Sequence, residues 1–271
     1  MPMQAFSQPL AAALPSWIIG HRGAAAVCPE NTLASFQIAR NAGACMIEFD
    51  VQQSVDGELF VFHDDTLERL CGESVVVSSL SYEALAARVV GRYQGEALII
   101  PRLTDVFATC QRSIFYNVEL KTDTVAYSGI ETRLVELVHA HGLTERVLVS
   151  SFRHDSLRLV RERDAHLALG LLLSLEQGCH LGTPEAMVAR AQEFDCCAVH
   201  PDFRLLRLYP ALVEQCHAVG MRVLPWTVDH PHVWDTLVNK LHVDGVITND
   251  PGKLYDWLLK QTTTNGTDVI V

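Results

Sequence analysis

The feature that most constrains this chain is its alternation of short apolar runs with amphipathic stretches. Apolar runs begin at residues 17, 45, 114, 146, 167, 196, 221 and 243. Between them lie segments with apolar residues at helical spacing, such as Ile130, Leu134 and Val138, or Leu254, Trp257 and Leu258 on one face. Gly43 and Gly142 mark helix ends, and Pro184, Pro231 and Pro251 mark helix starts. Asn31 or Thr32 is expected to cap the first helix, Asp229 the one at Pro231 and Asp250 the last. A strand followed by a helix, repeated every ~20–30 residues, implies parallel strands joined by helical crossovers. Eight such units close most naturally into a (β/α)8 TIM barrel. The alternative, an open doubly wound sheet, would normally bring a glycine-rich phosphate loop, and no G-x-G-x-x-G or Walker sequence is present.

With 271 residues the chain is long enough for one large core, so a single domain is expected, with the barrel from about residue 17 to 260. Glu58–His63 reads as an extra strand after the second barrel strand, and residues 64–100 as a small insertion too short to own a core. Within it, an apolar run Val75–Val77 is followed by a short helix at Tyr82–Val89 and then by a loop rich in Gly, Arg and Tyr. The formal net charge of −11 argues against nucleic acid and anionic membrane surfaces as partners. The eight cysteines form no C-x-x-C pair, and they read as reduced thiols. Met1–Pro15 lacks a basic region and a convincing apolar one, and no apolar run approaches a transmembrane length. A cytoplasmic protein without a membrane anchor, and one able to form a homo-oligomer, is the expectation. The tail after Gln261 is polar and expected to fray.

Chemistry concentrates where strands end. Ile18-Ile19-Gly20-His21-Arg22-Gly23 closes an apolar run with an imidazole and a guanidinium, and Pro29-Glu30-Asn31-Thr32 carries a carboxylate and a carboxamide into the next helix. Side chains two apart on a strand share a face. Met46, Glu48 and Asp50 therefore share one face of the second strand, and Phe115, Asn117, Glu119 and Lys121 one face of the strand at 114. The opposite faces are apolar and suit helix packing, so the polar faces are expected to point into the barrel at its active end. Three carboxylates converging beside Arg22 and Lys121 either form a buried ion network or bind a cation. Their oxygen donors suit one divalent ion, Mg²⁺ or Ca²⁺. His63-Asp64 would bring a second imidazole to the same mouth, where two imidazoles can serve as base and acid. Trp226 reads equally as packing or as a pocket wall, and His200 and Ser151 remain open candidates. No G-x-S-x-G or comparable nucleophile signature occurs.

These motifs resemble those of the glycerophosphodiester phosphodiesterase family. The resemblance rests on His21-Arg22-Gly23 with Pro29-Glu30-Asn31-Thr32, Glu48-Phe49-Asp50, His63-Asp64, Glu119-Leu120-Lys121, Trp226-Thr227-Val228 and Thr248-Asn249-Asp250-Pro251, and spans residues 17 to about 258. It implies a (β/α)8 barrel that hydrolyses small-molecule glycerophosphodiesters to sn-glycerol 3-phosphate and an alcohol, assisted by a divalent metal. It further implies Glu48, Asp50 and Glu119 as metal ligands, with Glu30 and Asn31 shaping their surroundings. His21 and His63 would be the acid/base pair, Arg22 and Lys121 the phosphate ligands, and Trp226 a contact to glycerol or leaving group. The competing readings are a phospholipase D-like action on lysophospholipids, which needs an apolar groove at the mouth, and a phosphate-binding barrel without catalysis.

Overall fold

The computed structural model describes Leu14 and residues 16–265. The strands in chain order are β1 (Trp17–His21), β2 (Met46–Gln53), β3 (Leu59–Val61), β4 (Val89–Tyr93), β5 (Glu96–Ile99), β6 (Phe115–Leu120), β7 (Val147–Ser151), β8 (Ala168–Leu173), β9 (Ala198–Pro201), β10 (Arg222–Val223) and β11 (Gly245–Thr248). Eight of them are parallel neighbours in the order β10-β9-β8-β7-β6-β2-β1-β11, and β3 pairs antiparallel with β2. The sheet curls into a nearly closed barrel. Across the seam between β10 and β11, Asp244 N donates to Val223 O (3.1 Å) and Ile247 N to Pro225 O (3.0 Å). Pro225 has no N–H to return, which shortens β10 to two residues where the sequence suggests a strand through Trp226.

Strand periodicity divides the side chains as expected. Ile47, Phe49 and Val51 of β2 and Tyr116, Val118 and Leu120 of β6 pack outward against the helices. Trp17, Ile19, Met46, Phe115, Leu148 and Leu224 point inward and plug the barrel's N-terminal half. Each such fully buried side chain contributes roughly 1.5–3 kcal/mol of transfer free energy. Register then stacks the polar residues above the plug at matched heights: His21 lies beside Glu48, Glu48 beside Asn117, and Asp50 beside Glu119.

The outer helices are α1 (Leu33–Asn41), α2 (Glu68–Cys71), α3 (Tyr82–Ala86), α4 (Leu103–Cys110), α5 (Ile130–Ala140), α6 (His154–Arg163), α7 (Leu175–Leu181), α8 (Pro184–Glu193), α9 (Phe203–Leu208), α10 (Ala211–Ala218), α11 (Pro231–Asp235) and α12 (Pro251–Asn265). Thr32 caps α1, its Oγ1 accepting from Ser35 N at 3.2 Å. Asp250 accepts from Lys253 N in the first turn of α12. Asp229 does not cap α11, whose N-cap is His230 without a side-chain bond.

Residues 64–100 depart from expectation in two ways. The stretch read as loop contains the β4–β5 hairpin, and Val89 belongs to it rather than to α3. The segment also builds an apolar cluster, which it shares with Phe60 and Phe62 from around β3: these join Leu67, Val77, Leu85 and Ile100. A sequence count of the insertion alone misses those two borrowed rings. At the C-terminus α12 runs past Gln261 to Asn265. The expectations for residues 1–13 and for the last six residues lie outside the described residues. All eight cysteines are free. Among the described residues no helix is long and apolar enough to cross a membrane.

Candidate active site

The turn between β1 and α1 sets the site. Arg22 and Gly23 adopt positive φ (+52° and +89°), and Asn31 does so at +57°. A Cβ on Gly20 would lie 2.5 Å from Gly23 O, so only glycine allows this tight return. The turn is locked by Asn31 N and Ser35 Oγ, both donating to Arg22 O at 3.0 Å. As a result Arg22 meets carboxylates with both its backbone and its side chain. Its N–H donates to Glu48 Oε2 (3.0 Å), Nη1 donates to Glu30 Oε1 (2.8 Å), and Nε lies 3.3 Å from Asp50 Oδ2.

Glu48, Asp50 and Glu119 each bring one oxygen into a group whose members lie within 4.8 Å of one another. All three are buried. Lys121 Nζ donates to Glu119 Oε1 (3.1 Å), and Asn31 Nδ2 to Asp50 Oδ2 (2.8 Å). Burial and the charges of Asp50 and Glu119 push Glu48 well above the usual carboxylate range. Burial and Asp50 lift Glu119 to about 7 against Lys121 and Arg22. Burial works to raise Asp50 too, but Arg22, His63 and Lys121 outweigh it and hold it at about 2. The trio is therefore short of positive charge. Glu48 Oε1 is buried without any hydrogen-bond partner. An orphaned carboxylate oxygen beside two others is the donor set of a hard divalent cation, and these residues fit one.

Two imidazoles face this cluster with different supports. His21 Nδ1 is 2.7 Å from Asn249 Oδ1, and Asn249 Nδ2 donates to Asp229 Oδ2 at 2.7 Å. Asp229 Oδ1 also accepts from Thr248 Oγ1 and Asn249 N. Because Asp229 only accepts, it turns the Asn249 amide so that its oxygen faces His21. Nδ1 of His21 must then carry the proton, leaving Nε2 as an acceptor. Burial and the nearby Arg22 lower His21 to about 4, against Asn249 and Asp50. His63 is paired instead with a carboxylate, Nδ1 lying 2.6 Å from Asp64 Oδ1. Both histidines line a cavity of about 110 Å³ with Glu48, Glu119, Phe152 and Trp226. Phe152 meets Trp226 edge-on at 5.4 Å, and Trp226 Nε1 donates to His200 O. A roomier cavity of about 300 Å³ at the N-terminal end, beside Trp17, His217 and Arg222, contains none of these groups.

All ten residues singled out in the sequence thus gather at one end of the barrel. Two open candidates do not reach the cavity. His200 is fully buried in the barrel interior near Asn117, and Ser151 donates to Leu120 O outside the barrel. Sequence reading placed Asn249 in a motif without a role, missed Phe152 and Arg69, and gave Asp229 the wrong task. Asp229 before a proline carries the signature of a helix cap, and only its position opposite Asn249 reveals the other use.

The model of the glycerophosphoryl diester phosphodiesterase family matches residues 21–253. The chain belongs to this family. As a family member it is a phosphoric diester hydrolase, with glycerophosphodiester phosphodiesterase activity. It is 36% identical over 247 residues to the glycerophosphodiester phosphodiesterase of Caldanaerobacter subterraneus, covering 90% of this chain and 98% of the relative. The fold is similar to the glycerophosphodiester phosphodiesterase of Thermotoga maritima, with TM-score 0.73, 27% identity and 89% and 97% of the two chains covered. It is also similar to an Oleispira antarctica phosphodiesterase solved with its product sn-glycerol-3-phosphate, at TM-score 0.79, 26% identity and 93% and 98% coverage.

Proposed function

We propose that this phosphodiesterase hydrolyses glycerophosphodiesters to sn-glycerol 3-phosphate and an alcohol, with a divalent cation held by Glu48, Asp50 and Glu119. The observation that carries the reading is the small cavity with His21 and His63 on its walls and the carboxylate trio beside them. The bound cation would supply Lewis-acid polarisation of a phosphoryl oxygen. Asn31 keeps Asp50 oriented, and Glu30 keeps Arg22 extended across the mouth. Arg22 and Lys121 offset charge building on the phosphoryl oxygens.

The two histidines take opposite parts. His21, locked with its proton on Nδ1, accepts the proton of the attacking hydroxyl at Nε2. His63, whose Nδ1–H faces Asp64, is oriented by that contact and gives its Nε2 proton to the departing alkoxide. The new O–P bond forms as the leaving O–P bond breaks, and each histidine ends in the protonation state the other began with. The attacking hydroxyl is either water or the glycerol hydroxyl adjacent to the phosphoester; the second route passes through a cyclic phosphate that water then opens, His63 taking the water proton and His21 giving its Nε2 proton to the ring oxygen. Phe152 and Trp226 wall the cavity for the carbon skeleton.

A coupled glycerol 3-phosphate assay over glycerophosphocholine, glycerophosphoethanolamine and glycerophosphoglycerol tests the reading. Turnover that chelator abolishes and Mg²⁺ or Ca²⁺ restores is expected. Full turnover after chelation would remove the metal from the scheme. No glycerol 3-phosphate from any of them would remove the substrate class.

A further inference from the structure

We infer that Arg69, in the segment after β3, is a positioning residue that couples the acid histidine to the phosphate-binding arginine; this rests on the roles proposed above for His63 and Arg22. Arg69 lies in α2, outside every strand end that forms the site. Its guanidinium is shared between two carboxylates. Nε and Nη2 donate to Asp64 Oδ2 and Oδ1 at 2.6 and 3.0 Å, while Nη1 and Nη2 donate to Glu30 Oε2 and Oε1 at 3.0 and 2.7 Å. Each carboxylate passes the constraint inward. Asp64 Oδ1 is also the partner of His63 Nδ1, and Glu30 Oε1 also accepts from Arg22 Nη1. The result is one unbroken chain, His63–Asp64–Arg69–Glu30–Arg22, closing over one side of the mouth.

The geometry argues against two simpler roles. Arg69 is not placed as a phosphate ligand, since four of its N–H groups are committed to carboxylates and it does not line the cavity. Nor is it an ordinary surface ion pair, because both carboxylates are bound through a two-pronged fork that fixes direction as well as distance. Lysine could supply the charge there but not the double fork. Without Arg69, Asp64 and Glu30 lose their common brace, and the positions of His63 and Arg22 are no longer tied to each other.

The test compares Arg69→Ala and Arg69→Lys with the wild-type protein, in the presence of divalent cation and glycerophosphoglycerol. Loss of an outer partner of this kind costs roughly 10–100-fold in activity. Arg69→Ala should therefore lower kcat through His63 and raise KM through Arg22, while Asp64→Asn should act mainly on kcat. Arg69→Lys should recover little, and added guanidinium ion, well below denaturing concentrations, should restore part of the Arg69→Ala loss. NMR of histidine-labelled protein reads the same coupling without turnover. The His63 Nδ1–H signal should be sharp in the wild type and broadened or lost in Arg69→Ala. Wild-type kcat, KM and His63 signal in Arg69→Ala would overturn the inference. So would an activity loss matched by unfolding in circular dichroism, with no guanidinium rescue and full activity in Arg69→Lys. A wild-type protein that turns over no glycerophosphodiester, yet loses the signal on substitution, would overturn the assigned reaction and support the coupling.

Discussion

At residue scale, Asp229 shows how one atom selects a tautomer. Replacing it by Asn keeps an oxygen for Thr248 Oγ1 and Asn249 N, but puts an NH2 against Asn249 Nδ2. The Asn249 amide must flip to avoid donor against donor. Its NH2 then faces His21 Nδ1 and forces the proton onto Nε2, where the proposed base needs a lone pair. Asp229→Asn should lower kcat by roughly 10²–10⁴-fold with KM little changed, the full worth of a general base. Steady-state kinetics checks this, and wild-type kcat would exclude the tautomer lock. His21→Ala and His63→Ala should each lose about the same factor while retaining the wild-type circular dichroism spectrum. A slow substrate with an activated leaving group separates them: His63→Ala should recover on it, and His21→Ala should not.

At the scale of elements, Asp164 ties two helices to a strand. It ends α6, accepts from the N–H groups of His166 and Leu167 (2.6 and 3.0 Å) ahead of β8, and meets His139 Nε2 of α5 at 2.6 Å. Burial opposes its ionisation, but the bond from His139 and those backbone N–H groups outweigh it, so its carboxyl lies below the ordinary 3.8. A depressed carboxylate contributes stability above its unfolded value and loses it as pH falls through the folded one. Asp164→Ala should therefore cost about 2 kcal/mol near neutrality. The gap between variant and wild type should close in acid below pH 3.8, as read by urea unfolding at several pH values. A gap independent of pH would assign the cost to packing instead. The turn from β1 to α1 is less forgiving, because Gly20→Ala drives a Cβ against Gly23 O and must shift the loop that carries Arg22.

For the whole molecule, the carboxylate trio sets folding against the function proposed for it. Glu48, Asp50 and Glu119 are buried at one end of the barrel, where their mutual repulsion opposes the compact state. A cation that binds only the folded barrel reverses this. At a free concentration of 100 Kd it adds about 2.7 kcal/mol of stability. Adding Mg²⁺ or Ca²⁺ to chelated protein should raise the melting temperature, and Glu48→Gln with Glu119→Gln should raise it without metal while abolishing the metal response. An unchanged melting temperature in both experiments would mean that no cation binds there.

The alternation of apolar runs was enough for the (β/α)8 barrel, and strand period two was enough to aim Glu48, Asp50, Glu119 and Lys121 into it. Both follow from local geometry that repeats along the chain: strands alternate faces, and eight crossovers leave few ways to close. His63, Glu30 and Asn31, which no periodicity marks, stood out by their place at a strand end and in the loop after β1, and the family resemblance gave them roles. What stayed hidden depends on pairs far apart in sequence. Asn249 meets His21 across 228 positions, and Arg69 meets Glu30 across 39. The seam at Pro225, the apolar cluster that the insertion shares with Phe60 and Phe62, and the task of Asp229 were likewise settled by tertiary structure. The parts proposed for the two imidazoles rest on contacts of the same kind. Histidine is a base or an acid according to what its other nitrogen touches. For His21 that partner is an amide turned by Asp229, for His63 it is Asp64, and only the closed barrel brings the first of these within reach.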